Sequence, residues 1–159
     1  MSRILVAVLV CAALAIVGPP AASAADEMRT GVRGAHDAVL YKDPDCGCCG
    51  EYAKVLEREG FPVRIKETTA LAALRRMAGV PDKLASCHTM TVGNYVIEGH
   101  VPLAAVRKLL AEKPDIRGIA LPGMPQGSPG MTGVKEGPFV VYEIGTRDAS
   151  GQPKVFATE

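Results

Sequence analysis

The residues Asp43-Pro44-Asp45-Cys46-Gly47-Cys48-Cys49-Gly50 set three thiols within four positions, at the junction of two segments with different periodicities. Ahead of them, Ala38-Val39-Leu40-Tyr41 is a short apolar run that fits a strand. Behind them, residues 51–57 carry Tyr52, Val55 and Leu56 at the spacing of one helix face. A structural cysteine packs as a small hydrophobe and gains nothing from neighbours such as Asp, Pro and Gly. Thiols at a strand-to-helix junction instead meet unpaired N–H groups and the positive end of the helix dipole, which favour the thiolate. The thiolate is the form that binds soft metals and attacks disulfides, so the stretch points to metal binding or thiol redox.

The elements that follow alternate. Residues 61–67 alternate apolar and polar as a half-buried strand does, with Pro62 near its start. A second helix follows, capped by Thr68 or Thr69, with Leu71, Leu74, Arg75 and Met77-Ala78 at helical spacing, Met77 on the core side shared with Leu74, and Gly79 and Pro81 closing it. Residues 84–92 and 95–101 flank Gly93-Asn94, a hairpin signal that places Cys87 and His88 near a strand start. After Pro102, residues Leu103, Val106, Leu109 and Leu110 make a third amphipathic helix that stops at Lys113-Pro114. A short apolar piece at 119–121 leads into a Pro/Gly loop, residues 122–133, which carries Met124 and Met131 and suits neither helix nor central strand. Residues 139–144 and 153–157 read as a terminal antiparallel pair. The order β-α-β-α-β-β-α after a strand–CxxC–helix start predicts an α/β fold, a thioredoxin-like mixed sheet flanked by helices, with a C-terminal β-pair.

Three segments divide the 159 residues. Arg3, the apolar run from Ile4 to Val17 and Ala22-Ser23-Ala24 make residues 1–24 a cleavable secretory signal, with Cys11 removed along with it. The run is too short for a membrane span, which needs ~20 residues, so no span is expected in the mature protein. Residues 25–36, which include His36, read as a flexible polar leader, and residues 37–159 form one domain. Removing Arg3 leaves 17 of the 18 basic residues against 17 acidic ones, so the mature chain is formally neutral. A neutral chain with 4% aromatic residues has neither the basic footprint nor the stacking platform of a nucleic-acid binder.

Four of the five cysteines remain in the mature chain: Cys46, Cys48, Cys49 and Cys87. A framework of two structural bridges fits them poorly, because three are so close that only one can close a long loop, to Cys87. Cys48 also competes for any mixed disulfide made by the Cys46/Cys49 pair, which argues against simple disulfide exchange. Soft thiolates select Cu(I), zinc or iron–sulfur clusters, and imidazole suits copper and zinc. Sulfurs bridging two or more Cu(I) ions would use all three thiols of the short loop, so the expected ligand is copper, in a multinuclear site. Cys87-His88 is the next donor pair, followed by the thioethers Met124 and Met131. His100, after a strand, fits a capping or hydrogen-bonded role. Asp43, Asp45 and Glu51 fit capping of the turn and helix better than acid–base work. No zinc-protease, P-loop or nucleophile-elbow pattern is present.

Residues 41–49, Ser86-Cys87-His88-Thr89, the segment 95–102 and the segment 121–131, taken in order, resemble the periplasmic copper-resistance family called CopG, across residues 37–145. The resemblance implies a thioredoxin-like fold, a periplasmic location, copper at the CxCC centre and a role in Cu(I)/Cu(II) handling beside periplasmic copper efflux systems. By the same resemblance, Cys46, Cys48, Cys49, Cys87, His88, His100, Met124 and Met131 are the metal residues. The rival reading is a metal-free thiol-disulfide oxidoreductase using Cys46 and Cys49. The targeting expectation is checked by mass spectrometry of the exported protein, which should find an unlipidated N-terminus near Ala25; an acylated Cys11 or an intact leader would contradict it.

Overall fold

The computed structural model describes residues 38–159. The leader with Cys11, the cleavage site and the polar segment with His36 lie outside the described residues. The elements are β1 (Ala38–Lys42), α1 (Gly47–Arg58), β2 (Val63–Glu67), α2 (Leu71–Met77), a 3-10 turn (Asp82–Leu84), β3 (His88–Val92), β4 (Tyr95–Glu98), α3 (Leu103–Glu112), β5 (Gly118–Ala120), β6 (Val140–Arg147) and β7 (Pro153–Thr158). They form the mixed α/β architecture expected from the sequence, with one sheet of seven strands ordered β2-β1-β3-β4-β5-β6-β7.

The topology follows from the connections. β1/β2 and β4/β5 are parallel pairs, and each is joined through a helix, α1 or α3, because a parallel pair needs a long crossover. β3 and β4 are antiparallel across the two-residue Gly93-Asn94 turn, with Gly93 in the left-handed region at φ 56°. The terminal pair β6/β7 is antiparallel and continues the same sheet through β5.

On one face of the sheet, Leu40, Met90, Ile97 and Ile119 stand in register across four strands, each almost wholly buried. Tyr52 and Leu56 of α1 join them in the main core, as do Val106 and Leu109 of α3. Each such aliphatic side chain contributes roughly 2 kcal/mol by leaving water. The opposite face holds a smaller cluster of Val80, Leu84, Val96, Ala120 and Ile144.

Three local expectations are corrected. β2 is exposed along most of its length rather than half-buried, because it is an edge strand. The N-cap of α2 is Ala70 rather than a threonine, and the Thr68 hydroxyl accepts the Ala70 N–H at 3.1 Å. Met77 is 83% exposed and not core. The partly buried residues of α2 are Leu71, Leu74 and Arg75, followed by Ala78, a stripe centred well away from Met77.

The loop between β5 and β6 is held against the start of α1. Gly130 adopts φ 81°, and a Cβ there would lie 2.5 Å from the Tyr52 backbone nitrogen. Only glycine accommodates both the left-handed backbone and the contact. Gly130→Ala should therefore destabilise the fold by at least about 2 kcal/mol, read as a lower urea midpoint; an unchanged midpoint would show that this loop does not press on α1.

Candidate metal centre

Cys46 is the N-cap of α1 and contributes no side-chain cap; Cys48 and Cys49 lie in the first turn. The flanking carboxylates stay out of the centre. The Asp43 carboxylate accepts the Asp45 N–H at 3.1 Å, and Glu51 pairs with Lys54 on the exposed helix surface. The turn is fixed from β1 by Lys42, which is nearly buried. Its ammonium donates to the carbonyls of Asp43 at 2.9 Å and Pro44 at 3.0 Å, and pairs with Glu67 at 3.3 Å.

Cys46 and Cys49 form a disulfide, while Cys48 and Cys87 are free thiols. Cys48 Sγ lies 3.6 Å from Cys46 Sγ, and Cys49 Sγ lies 3.6 Å from the Cys87 carbonyl oxygen. Cys87 comes from the segment just before β3, and His88 opens that strand. His100 follows β4, two residues beyond its last position. The β3/β4 hairpin thus carries one donor pair and one further imidazole to the same end of the sheet. Cys87 Sγ is 3.0 Å from His100 Nε2 and 3.5 Å from His88 Nδ1.

Two overlapping donor quartets result, Cys46/Cys48/Cys49/Cys87 and Cys49/Cys87/His88/His100, with the donor atoms of each within 4.8 Å of one another. Six of the eight residues singled out in the sequence are thus brought together. Met124 is 57% exposed and Met131 is half-buried, both on the loop whose Pro129 carbonyl reaches the centre.

The histidine environment is set by burial. His100 Nδ1 donates to the Pro129 carbonyl at 2.7 Å, which leaves Nε2 as the acceptor facing Cys87. A ring N–H held by a carbonyl is the usual partner of a metal-binding imidazole. His88 is completely buried, with Nε2 lacking a hydrogen-bond partner among the described residues. The Tyr52 ring lies against both imidazoles, with centroids 4.8 Å from His88 and 5.3 Å from His100, and its hydroxyl donates to the Val101 carbonyl at 2.9 Å. Sequence reasoning took Tyr52 as core only, and the Pro129 carbonyl left no signal because backbone groups carry no residue identity.

Burial pushes the Cys87 thiol up to about 12, reinforced by the neighbouring Cys48. Burial, then the neighbouring His100, pushes His88 down to about 3, opposed by a nearby Gly99 backbone group; His100 is lowered by burial too. A thiol and two neutral imidazoles, largely removed from water, therefore form the metal-free centre at neutral pH. A bound soft cation would displace the Cys87 proton.

The depressed His88 pKa has a stability consequence. Below pH ~6.5 the unfolded chain takes a proton on His88 while the folded chain does not, until the pH nears 3. Stability is therefore intact above pH ~6.5 and is lost as the pH falls from there toward about 3, at up to about 1.4 kcal/mol per pH unit. Urea midpoints of metal-free protein between pH 7 and 4 should fall more steeply for the wild type than for His88→Leu; parallel curves would contradict the buried neutral histidine.

Comparison with known proteins places this geometry. Two solved structures, named copper resistance protein copG form 1 and form 2, each match with TM-score 0.69 and 37% sequence identity. Both matches cover 79% of this chain, and they cover 98% and 99% respectively of the matched chains. A family described as "Protein of unknown function, DUF411" matches residues 84–131, a stretch that includes Cys87, His88, His100, Met124 and Met131. No curated protein matches. With more than a third of its residues identical over nearly the whole length of those two structures, and a Cys/His cluster at the strand–CxCC–helix junction, this chain belongs to the CopG family of copper resistance proteins.

Proposed function

We propose that this protein binds copper in the periplasm as part of copper resistance, holding it at a centre of Cys46, Cys48, Cys49, Cys87, His88 and His100, with Met124 and Met131 as further sulfur donors from the adjoining loop. The observation that carries the reading is the pair of overlapping quartets that share Cys49 and Cys87. One quartet is all sulfur and favours Cu(I); the other adds two imidazoles, which also accommodate Cu(II). With Cys49 reduced, Cys49 and Cys87, which are common to both quartets, would let a multinuclear site use the whole donor set.

The same residues support interconversion of the two oxidation states. With Cys46 and Cys49 reduced, two Cu(II) ions take one electron each, the two thiols lose two protons and the disulfide forms. The oxidised centre retains Cys48, Cys87 and both imidazoles as donors. A dithiol donor in the same compartment regenerates the pair by exchange. Copper so handled passes to periplasmic components of a copper efflux system. Among the described residues no helix is long and apolar enough to cross a membrane.

The Cys46–Cys49 bridge also favours a second reading, a thiol-disulfide oxidoreductase that works without metal. Cys48→Ser separates the two, since it removes a donor yet leaves the bridge-forming pair. Anaerobic metal analysis should show lower copper stoichiometry, or affinity weakened at least about tenfold, with reduced copper tolerance in cells. Unchanged copper binding alongside full disulfide-reductase activity would promote the second reading over the first.

A further inference from the structure

Behind the donor cluster lies a buried polar network that the copper reading leaves without a role. Thr89 and Glu98 face each other across β3 and β4, and their side chains leave the sheet on the face opposite His88. Glu98 is completely buried, yet its carboxylate is fully occupied. It accepts from Arg75 Nε at 2.7 Å, the Ser86 N–H at 2.7 Å and Thr89 Oγ1 at 2.6 Å. Arg75 is only slightly exposed and donates through Nη2 to the Ser86 carbonyl.

We propose that Arg75 and Glu98 are a positioning pair for Cys87: between them they grip both backbone polar groups of Ser86 and so fix the peptide that aims the Cys87 thiol into the donor cluster. The Ser86 carbonyl belongs to the peptide joining Ser86 to Cys87, so the guanidinium sets the plane from which Cys87 departs. The Ser86 N–H, held by Glu98, sets the plane before it. The grip is shared with the neighbouring donor segments. The Ser86 hydroxyl donates to the Gly123 carbonyl, the Gly99 N–H donates to the His88 carbonyl at 3.0 Å, and the Leu121 N–H donates to the Glu98 carbonyl at 3.0 Å. Ser86 thus ties the Cys87 segment to the methionine loop, while the other two bonds tie the His88 strand and the start of that loop to the end of β4 that precedes His100.

Stability alone is a weak reason for such a pair, because apolar residues of similar volume commonly replace a buried ion pair without loss. What apolar residues lack is the ability to hold an N–H and a C=O in one orientation. Arginine suits this better than lysine, since its rigid fork reaches two different acceptors at a fixed angle.

The affinity arm of the test rests on the copper reading, and the thiol arm does not. The variants are Arg75→Met/Glu98→Leu, which leaves no unpaired buried charge, and Arg75→Lys, which keeps the charge but loses the fork. Cu(I) dissociation constants are read on reduced protein by competition with a chromophoric chelator, well below the thermal midpoint of each variant. On oxidised copper-free protein, where Cys48 and Cys87 are the free thiols, site-resolved mass spectrometry gives the initial rates of alkylation by iodoacetamide. Cu(I) binding should weaken at least about tenfold in the double variant, and the Cys87-to-Cys48 alkylation ratio should rise by about threefold or more, with smaller changes of the same sign in Arg75→Lys. Wild-type values of both quantities would overturn the proposal, whatever happens to the thermal midpoint. If the wild type itself binds no Cu(I), the copper reading fails and the alkylation ratio alone decides, a rise supporting the positioning pair and an unchanged ratio overturning it. If the double variant does not fold, Arg75→Lys decides by the same two measurements.

Discussion

Tyr52 joins the helix that carries three of the cysteines to the hairpin that carries the fourth cysteine and both imidazoles. Its ring packs against His88 and His100, and its hydroxyl donates to the Val101 carbonyl, one residue past His100. Burial raises the pKa of the phenol, which keeps it a neutral donor at neutral pH. One side chain about a turn and a half from the helix start thus supplies apolar contact to the aromatic donors and satisfies a buried carbonyl. A close approach of α1 to the sheet depends on this contact, and the glycine at position 130 lets the loop fill the space beside it.

That packing gives the centre its chemical character. The imidazoles are buried without carboxylate partners, so they stay neutral and keep lone pairs available. The sulfurs sit where a helix N-terminus offers positive potential and where solvent access is reduced. A hard cation would find no carboxylate among the clustered donors, whereas a soft one finds thiolate and imidazole. The disulfide between Cys46 and Cys49 makes the donor set depend on oxidation state, because its sulfurs give up their thiolate character when bridged.

The two faces of the sheet divide the work. Donors converge on the face covered by α1 and α3, and the buried carboxylate of Glu98 on the other face ties together the backbone from which those donors project. A strand sends neighbouring side chains to opposite faces, so His88 and Thr89 serve the two sides from adjacent positions. The short helix α2 contributes little apolar burial, and Arg75 is its polar tie to this arrangement.

Local pattern alone determined much of this protein. The strand–CxCC–helix junction, the Gly93-Asn94 hairpin, the alternation of elements and the terminal β-pair were legible because periodicity, turn residues and caps act within a few positions. The approach of Cys87 to His100 and the Pro129 carbonyl behind that ring were not. Each depends on sheet register and on how α1 packs, which join residues far apart in the chain. The same holds for the two burial errors. Met77 lies on a plausible stripe and β2 on a plausible alternation, but burial is decided by which surface another element covers, and neither the edge of a sheet nor the outer side of a short helix is marked in the residues themselves. Sequence thus set which donors the chain possesses and the order of its elements, while tertiary packing chose which of those donors meet and removed them from water.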